Sequence, residues 1–361
     1  MYTSDNPFKL GIAGLGIGRS LGIPAIELIP EIELVSVWSH RQSQVDKAIS
    51  DFKVKGFTSF DHFIADQGLD GVWIATPPSL RPEFIKKALQ NNKHFFLEKP
   101  LSVTSDCLTE LKELAREKSL SCGVDFEYRC VPLFQKTKDL LEAQWIGKPQ
   151  SIEIRWMMGN RSDPSVPYGW YNSKLSGGGI IGAIASHHFD LLLWWFGDIK
   201  SVSTIASTVI KERVEQNSDI QKSCDTPETA FIGIEFSNSA LGSINVSCVT
   251  RDAPAQSIEI YGDKGRIKLI SNNTRDAVRG FTLDARQYDG NELILGSHED
   301  PTEKDQINGM IIPIKKMLSR WVDNINIGIP MEPSIEQGIK VQRVIDSAHQ
   351  SWEEGRKINL I

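Results

Sequence analysis

Up to about Val124 the chain alternates short, continuous apolar runs with amphipathic stretches, and beyond that point apolar residues tend to recur at every second position. These two rhythms restrict the fold more than any composition figure does. Continuous apolar runs bounded by turn residues suit strands buried on both faces, as in a parallel sheet covered by crossover helices. Phe8 to Ala13, Leu34 to Trp38, Val72 to Ala75, His94 to Leu97 and Leu120 to Val124 are runs of this kind. Between them, Pro82 suits a first helical turn and Asn91-Asn92 its end, while Ser105 can cap the segment reaching Lys118. Residues 1–124 are therefore expected to form an α/β domain with a doubly wound sheet, a Rossmann domain.

The segment Pro132 to Glu142 reads as a helix that stops before Gly147-Lys148-Pro149, and the pattern then changes. Ile152, Ile154, Trp156 and Met158 alternate with Ser151, Glu153 and Arg155, the period of a half-buried strand. Val202 to Ile210, Ala230 to Phe236, Leu241 to Val249, Ser257 to Tyr261 and Arg266 to Ile270 follow, and Gly262-Asp263-Lys264-Gly265 is a hairpin turn between the last two. Residues 125–361 are expected to form an α+β domain around an open, mainly antiparallel sheet. Helices over Ile180 to Phe196 and Met310 to Asn324 are expected to cover one face. The other face would serve a partner subunit, giving a homodimer or homotetramer. Lys211 to Thr226 is polar and irregular, and reads as a mobile loop.

A chain of 361 residues with 40% hydrophobic side chains is long enough for two such cores. Its net charge of -6, without a long basic block, excludes the electrostatic footprint of a nucleic-acid binder. The polar start Met1-Tyr2-Thr3-Ser4-Asp5-Asn6 lacks the apolar stretch of a signal peptide, and His187, His188 and Asp190 interrupt the greasy segment ending at Leu191 to Phe196; a cytoplasmic protein with no membrane partner is expected. Five scattered cysteines without C-x-x-C spacing imply free thiols and no metal site.

Chemistry concentrates at strand ends. The first run leads into Gly14-Leu15-Gly16-Ile17-Gly18-Arg19, where glycines let backbone amides approach a pyrophosphate at the positive end of a helix. The third glycine arrives one residue early for G-x-G-x-x-G, and Arg19 offers a guanidinium for a phosphate oxygen. A second run ends in Thr76-Pro77-Pro78, and a third in Glu98-Lys99-Pro100. A lysine directly before proline is kept extended, so its amine leaves the strand end in a restricted direction. Ser39-His40-Arg41 occupies the place where NAD enzymes carry an acidic residue for the ribose hydroxyls. A hydroxyl and a guanidinium suit a 2′-phosphate better, which favours NADP while leaving NAD open.

Together with Ala75-Thr76-Pro77-Pro78, Tyr128-Arg129 and Ser176-Gly177-Gly178-Gly179 followed by Ser186-His187, these motifs resemble the Gfo/Idh/MocA family, nicotinamide-dependent oxidoreductases that include glucose-fructose oxidoreductase and inositol dehydrogenase. The resemblance spans most of the chain and implies hydride transfer to or from a small polyol, sugar or sugar-derived carbonyl. It departs from the family at the glycine loop, at Arg81 in place of the usual His, at Tyr171 in place of a common Arg, and at Ala183 in place of the usual catalytic Asp.

Removing a hydride from an alcohol carbon requires the hydroxyl proton to leave as the carbonyl forms. Lys99 is the candidate general acid or base, and His187 the second catalytic candidate. In the family, the aspartate four residues before that histidine helps handle the substrate hydroxyl; Ala183 has no polar atom to do so. Tyr128, Tyr171 and, as the weakest, His188 (about 100° around the helix from His187) are candidate substitutes, and Asp190, three residues after His187, is a candidate to orient the imidazole. Tyr168, Trp170 and Tyr171 sit in a Pro-containing loop, from which Trp170 is a candidate to touch the cofactor. His188 reads as a core histidine. Two rival functions remain at this level: a cofactor-binding sensor that has lost catalysis, which Ala183 allows and Lys99 opposes, and a non-redox enzyme that oxidises its substrate transiently on a bound dinucleotide.

Overall fold

A computed structural model describes residues 1–253, 256–273, 278–296 and 308–360. In chain order the regular elements begin with β1 (Phe8–Ala13), α1 (Ile23–Ile26), β2 (Ile32–Trp38), α2 (Gln42–Phe52), β3 (Lys55–Phe57), α3 (Phe60–Ile64), β4 (Gly71–Ile74), α4 (Arg81–Gln90), β5 (His94–Leu97), α5 (Leu108–Glu117) and β6 (Cys122–Val124). Next come α6 (Pro132–Glu142), β7 (Pro149–Met157), α7 (Ser186–Phe196), β8 (Ile199–Ser207), β9 (Glu212–Val214), β10 (Gln221–Ser223), β11 (Thr229–Phe236) and β12 (Leu241–Ser247). The remainder is β13 (Gln256–Gly262), β14 (Gly265–Ser271), β15 (Phe281–Gln287), β16 (Glu292–Leu295), α8 (Ile311–Ile327), α9 (Ile335–Glu354) and β17 (Ile358–Asn359).

Two compact units divide these elements, Met1–Glu127 with Met310–Lys340 and Tyr128–Gly309 with Val341–Ile361. The first unit holds a six-stranded sheet of order β3-β2-β1-β4-β5-β6, parallel throughout. Strand order reverses between β1 and β4, and in open α/β sheets that reversal opens the ligand crevice at the strands' carboxyl ends. The continuous apolar runs are buried on both faces, as Val72, Trp73 and Ile74 of β4 and Phe95, Phe96 and Leu97 of β5 illustrate.

The second unit is built on a nine-stranded sheet of order β16-β15-β14-β13-β7-β12-β11-β8-β17, in which only the β12–β7 pair is parallel. Its inward residues meet α6 and α7: Phe134 lies edge-on to Phe281 at 5.1 Å, and His188 edge-on to Trp156 at 4.7 Å. The hairpin at Gly262 to Gly265 forms as expected.

Two expectations are corrected. The domain read as 125–361 is not continuous, because α8, which was expected to cover the second sheet, packs on α1 in the first unit. Its fully buried Trp321 lies 5.2 Å from Phe8 and 5.5 Å from Phe96. Helical periodicity identifies an apolar face but not the surface that receives it. The segment Lys211 to Thr226, read as a mobile loop, instead contains the β9–β10 ladder. Arg213 of β9 is fully buried, with Nη2 donating to Glu228 Oε1 at 2.9 Å and to Arg161 O at 2.6 Å, and Nη1 to Asp163 O at 2.8 Å and Val166 O at 3.1 Å.

Candidate active site

In the first unit, the three glycines of the loop after β1 have separate tasks. Gly14 holds φ +110°, and a Cβ there would lie 2.5 Å from Ala75 O; on Gly18 it would meet Ile12 Cγ2 at 2.6 Å. A Cβ on Gly16 would meet nothing within 4 Å. Two glycines thus close the turn and the helix-to-strand packing, and the middle one leaves open space for close backbone approach, the division of labour of a dinucleotide-binding loop. The early arrival of the third glycine is absorbed by a wide helical turn over Gly18–Gly22. The loop fits a dinucleotide. Ile17 is exposed beside it, while Arg19, offered above for a phosphate, is ion-paired with Asp51 of α2 and lies 5.2 Å over the Phe52 ring.

After β2, Ser39 is buried; its Oγ donates to Gln44 Oε1 at 2.7 Å and accepts from Arg41 N at 3.2 Å. His40 and Arg41 are exposed at the start of α2. Thr76, Pro77 and Pro78 form the turn after β4, with Thr76 buried and its carbonyl accepting from Arg81 Nε at 2.8 Å.

Lys99 is half-buried at the end of β5, and its peptide bond to Pro100 is cis. The charged groups facing it are Glu127, Glu98, Arg81 and Asp125. Loss of water lowers its pKa below the ordinary lysine value, Arg81 lowers it further, and the three carboxyl groups pull the other way. Glu98 and Asp125 are hydrogen-bonded to each other and buried, and burial raises both above their ordinary values, Asp125 well above. Asp125 and Glu127 were not among the residues picked from sequence, and Arg81 was singled out only as a departure from the family's usual His. No local pattern marks a charged residue as one that tertiary packing will bury.

In the second unit, His187 is buried on α7 and its ring stacks on Tyr128, 4.1 Å between centroids and 9° from parallel. Asp190, fully buried on the same helix, receives Arg129 at both oxygens, from Nε at 2.8 Å and Nη2 at 2.6 Å, a partner that sequence had not assigned. Bidentate pairing of this kind fixes both planes. His188 is a core residue, as expected, and Ala183 presents a buried methyl group. In the run Gly177-Gly178-Gly179, Gly178 lets the chain's own backbone approach, since a Cβ there would lie 2.3 Å from Tyr171 O and 2.5 Å from Trp170 O. Tyr171 donates its hydroxyl to Cys248 Sγ at 3.5 Å, beneath an Arg161 guanidinium 4.1 Å from its ring centre. Burial pushes the Tyr171 phenol well above its usual range and the Cys248 thiol up to about 11. Trp170 is 37% exposed at the rim of this cluster.

Residues 8–126 match the model of the oxidoreductase family's NAD-binding Rossmann fold, and residues 138–360 that of the same family's C-terminal alpha/beta domain. The chain belongs to the Gfo/Idh/MocA family. It is an NAD(P)-dependent oxidoreductase acting on CH–OH groups, as the shared family implies. Among Gfo/Idh/MocA relatives, an uncharacterized oxidoreductase of Synechocystis sp. is 30% identical over 98% of this chain and 96% of its own. A scyllo-inositol 2-dehydrogenase (NADP(+)) of Bacillus subtilis is 23% identical over 98% and 96%. The fold matches that of levoglucosan dehydrogenase in complex with NADH and L-sorbose, with a TM-score of 0.86, 21% identity and coverage of 98% and 99%. Among the described residues, no helix is long and apolar enough to cross a membrane, and no group of three or more His, Cys, Asp or Glu could hold a metal ion.

Proposed function

We propose that this protein is a cytoplasmic, NADP-preferring dehydrogenase or reductase of a small polyol, sugar or sugar-derived carbonyl, with Lys99 as general acid or base and His187 as the assisting group. The observation that carries this reading is Lys99 at the end of a parallel strand, half-buried among Glu98, Asp125, Glu127 and Arg81, in the same unit as an open dinucleotide loop. A bound nicotinamide supplies the hydride acceptor or donor. The chain supplies the rest. Gly16 admits the pyrophosphate backbone, and Lys99 takes the hydroxyl proton during oxidation or returns it during reduction. Glu98, Glu127 and Asp125 face Lys99 and stabilise the ammonium once it forms. The substrate class is supported by relatives named for inositols and levoglucosan. A screen of NADPH and NADH against scyllo-inositol, levoglucosan and L-sorbose, followed by nicotinamide absorbance, tests it; cofactor binding without turnover across a broad polyol and sugar panel would move the reading to a sensor, and turnover of substrate without net cofactor reduction to a transient-oxidation enzyme.

NADP preference is supported by Arg41, whose exposed guanidinium follows β2 where a diol-binding carboxylate would otherwise stand; Ser39 is buried, with its hydroxyl held by Gln44 and Arg41 N. NADPH is expected to bind about 1.5–3 kcal/mol more tightly than NADH, the worth of hydrogen bonds to a charged group, or roughly tenfold or more. Arg41→Ala should erase most of that difference and leave NADH affinity nearly unchanged. Calorimetric titrations giving equal affinities in the unmodified protein would remove the NADP assignment.

We also propose that the outer face of the nine-stranded sheet is the subunit interface of a homodimer or homotetramer. Ile205 of β8 and Phe231 of β11 are register neighbours there, 77% and 56% exposed. Apolar side chains paired on an open sheet face favour burial against a second copy. Light scattering should give a multiple of the 40.4 kDa chain mass and a smaller particle for Phe231→Glu; a monomer at micromolar concentration rules the interface out.

A further inference from the structure

Arg81 opens α4 and is only 4% exposed. Its Nε donates to Thr76 O at 2.8 Å, while Nη1 donates to Glu98 O at 2.7 Å and also to Pro100 O. Thr76 belongs to the turn after β4, and Glu98 and Pro100 flank Lys99. One side chain therefore binds the ends of two neighbouring strands and both sides of the candidate proton-transfer residue. Arginine suits this task because its rigid fork carries five donors and no acceptor. Histidine has two ring nitrogens on opposite edges, and lysine has one point charge; neither reproduces the fork.

We propose that Arg81 is a positioning residue that sets where the Lys99 amine stands relative to the dinucleotide turn, by tying the carbonyls on either side of Lys99 to the carbonyl of Thr76. The proposal rests on the reading of Lys99 as the proton-transfer group. Its charge acts in the same place. Glu98, Asp125 and Glu127 face Lys99 and favour its ammonium form, whereas Arg81 and burial oppose it. Arg81 itself is brought down to about 10 by burial, against the pull of Glu98, and so stays protonated at neutral pH.

The test does not depend on turnover. In the cofactor-free protein, the pH dependence of Lys99 acetylation by acetic anhydride, read by peptide mass spectrometry, reports when the amine loses its proton. Arg81→Gln should move that midpoint upward, because a neighbouring positive charge is gone. Arg81→Lys keeps a charge but loses the fork; its midpoint should stay near the original, while kcat on whichever polyol or sugar the screen identifies falls about ten- to a hundredfold with KM little changed, the scale of loss from a slightly misplaced group. An unmoved midpoint in folded Arg81→Gln, together with kcat within twofold in Arg81→Lys, overturns the proposal. If Arg81→Gln does not fold, Arg81→His measured above pH 8 takes its place, being uncharged there and carrying the family's usual residue. Full turnover in Lys99→Met would instead refute the reading of Lys99, and leaves the acetylation result to be judged separately.

Discussion

Lys99→Met is expected to lower turnover by ~10² to 10⁴, the range for general acid–base groups, with cofactor affinity retained. Methionine keeps the length and bulk of the side chain at this half-buried position and deletes the proton. The sign of the pH dependence follows from the lowered pKa: more of the amine is neutral at a given pH than in an ordinary lysine. Alcohol oxidation, which needs the neutral amine, should rise with pH and level off below the ordinary lysine value of about 10.4, and carbonyl reduction should run the other way. Lys99→Met should flatten both limbs. Near-normal turnover by this variant on a confirmed substrate would reduce Lys99 to a turn residue.

The second large effect is on stability. Arg213 and Glu228 form a fully buried ion pair, and Glu228 Oε2 also accepts from Ile210 N at 2.8 Å. Breaking such a pair from one side leaves an uncompensated buried charge, which costs about 3–5 kcal/mol, whereas removing both partners costs much less. Arg213→Met should therefore destabilise the second unit by about that amount, and the double variant Arg213→Met/Glu228→Met should recover a good part of it. Because Arg213 also holds the carbonyls of Arg161, Asp163 and Val166, the single variant should loosen the segment leading to Trp170, seen as faster amide exchange there. Denaturation curves placing Arg213→Met within about 1 kcal/mol of the original protein would show that water reaches the pair.

Why that pair escaped a reading of the sequence is instructive. Lys211 to Thr226 is polar, and polar composition ordinarily means solvated chain; Arg213 is buried only because Glu228 and three carbonyls converge on it from distant positions. The same holds for Arg81, Asp125 and Arg129. Where burial is written into a local run, as in Phe8 to Ala13 or His94 to Leu97, strand limits agree residue for residue. Helix α9 passed unread, its pattern interrupted by Gly338, a poor helix former. Tertiary packing accounts for that glycine: a Cβ there would fall 2.1 Å from Leu101 Cδ1. The dinucleotide loop was legible because its glycines act through backbone, whose requirements are local. His187 was legible as a position, but its stacking on Tyr128 depends on contacts across the fold.

The return of Met310–Lys340 to the first unit bears on how the protein is made. A ribosome that has released residues up to Glu127 has delivered all six parallel strands, yet not the helix whose Trp321 packs against Phe8 and Phe96. At ~5–20 residues per second, about 10 to 40 s pass before residue 340 is made. During that interval the surface of α1 that receives α8 faces water or a chaperone, while the whole nine-stranded sheet except its last edge strand, β17, is synthesised. The nucleotide-binding half therefore begins first and is completed almost last, so a nascent chain stalled near residue 300 should be far easier for proteases to cut in its first 127 residues than the finished protein.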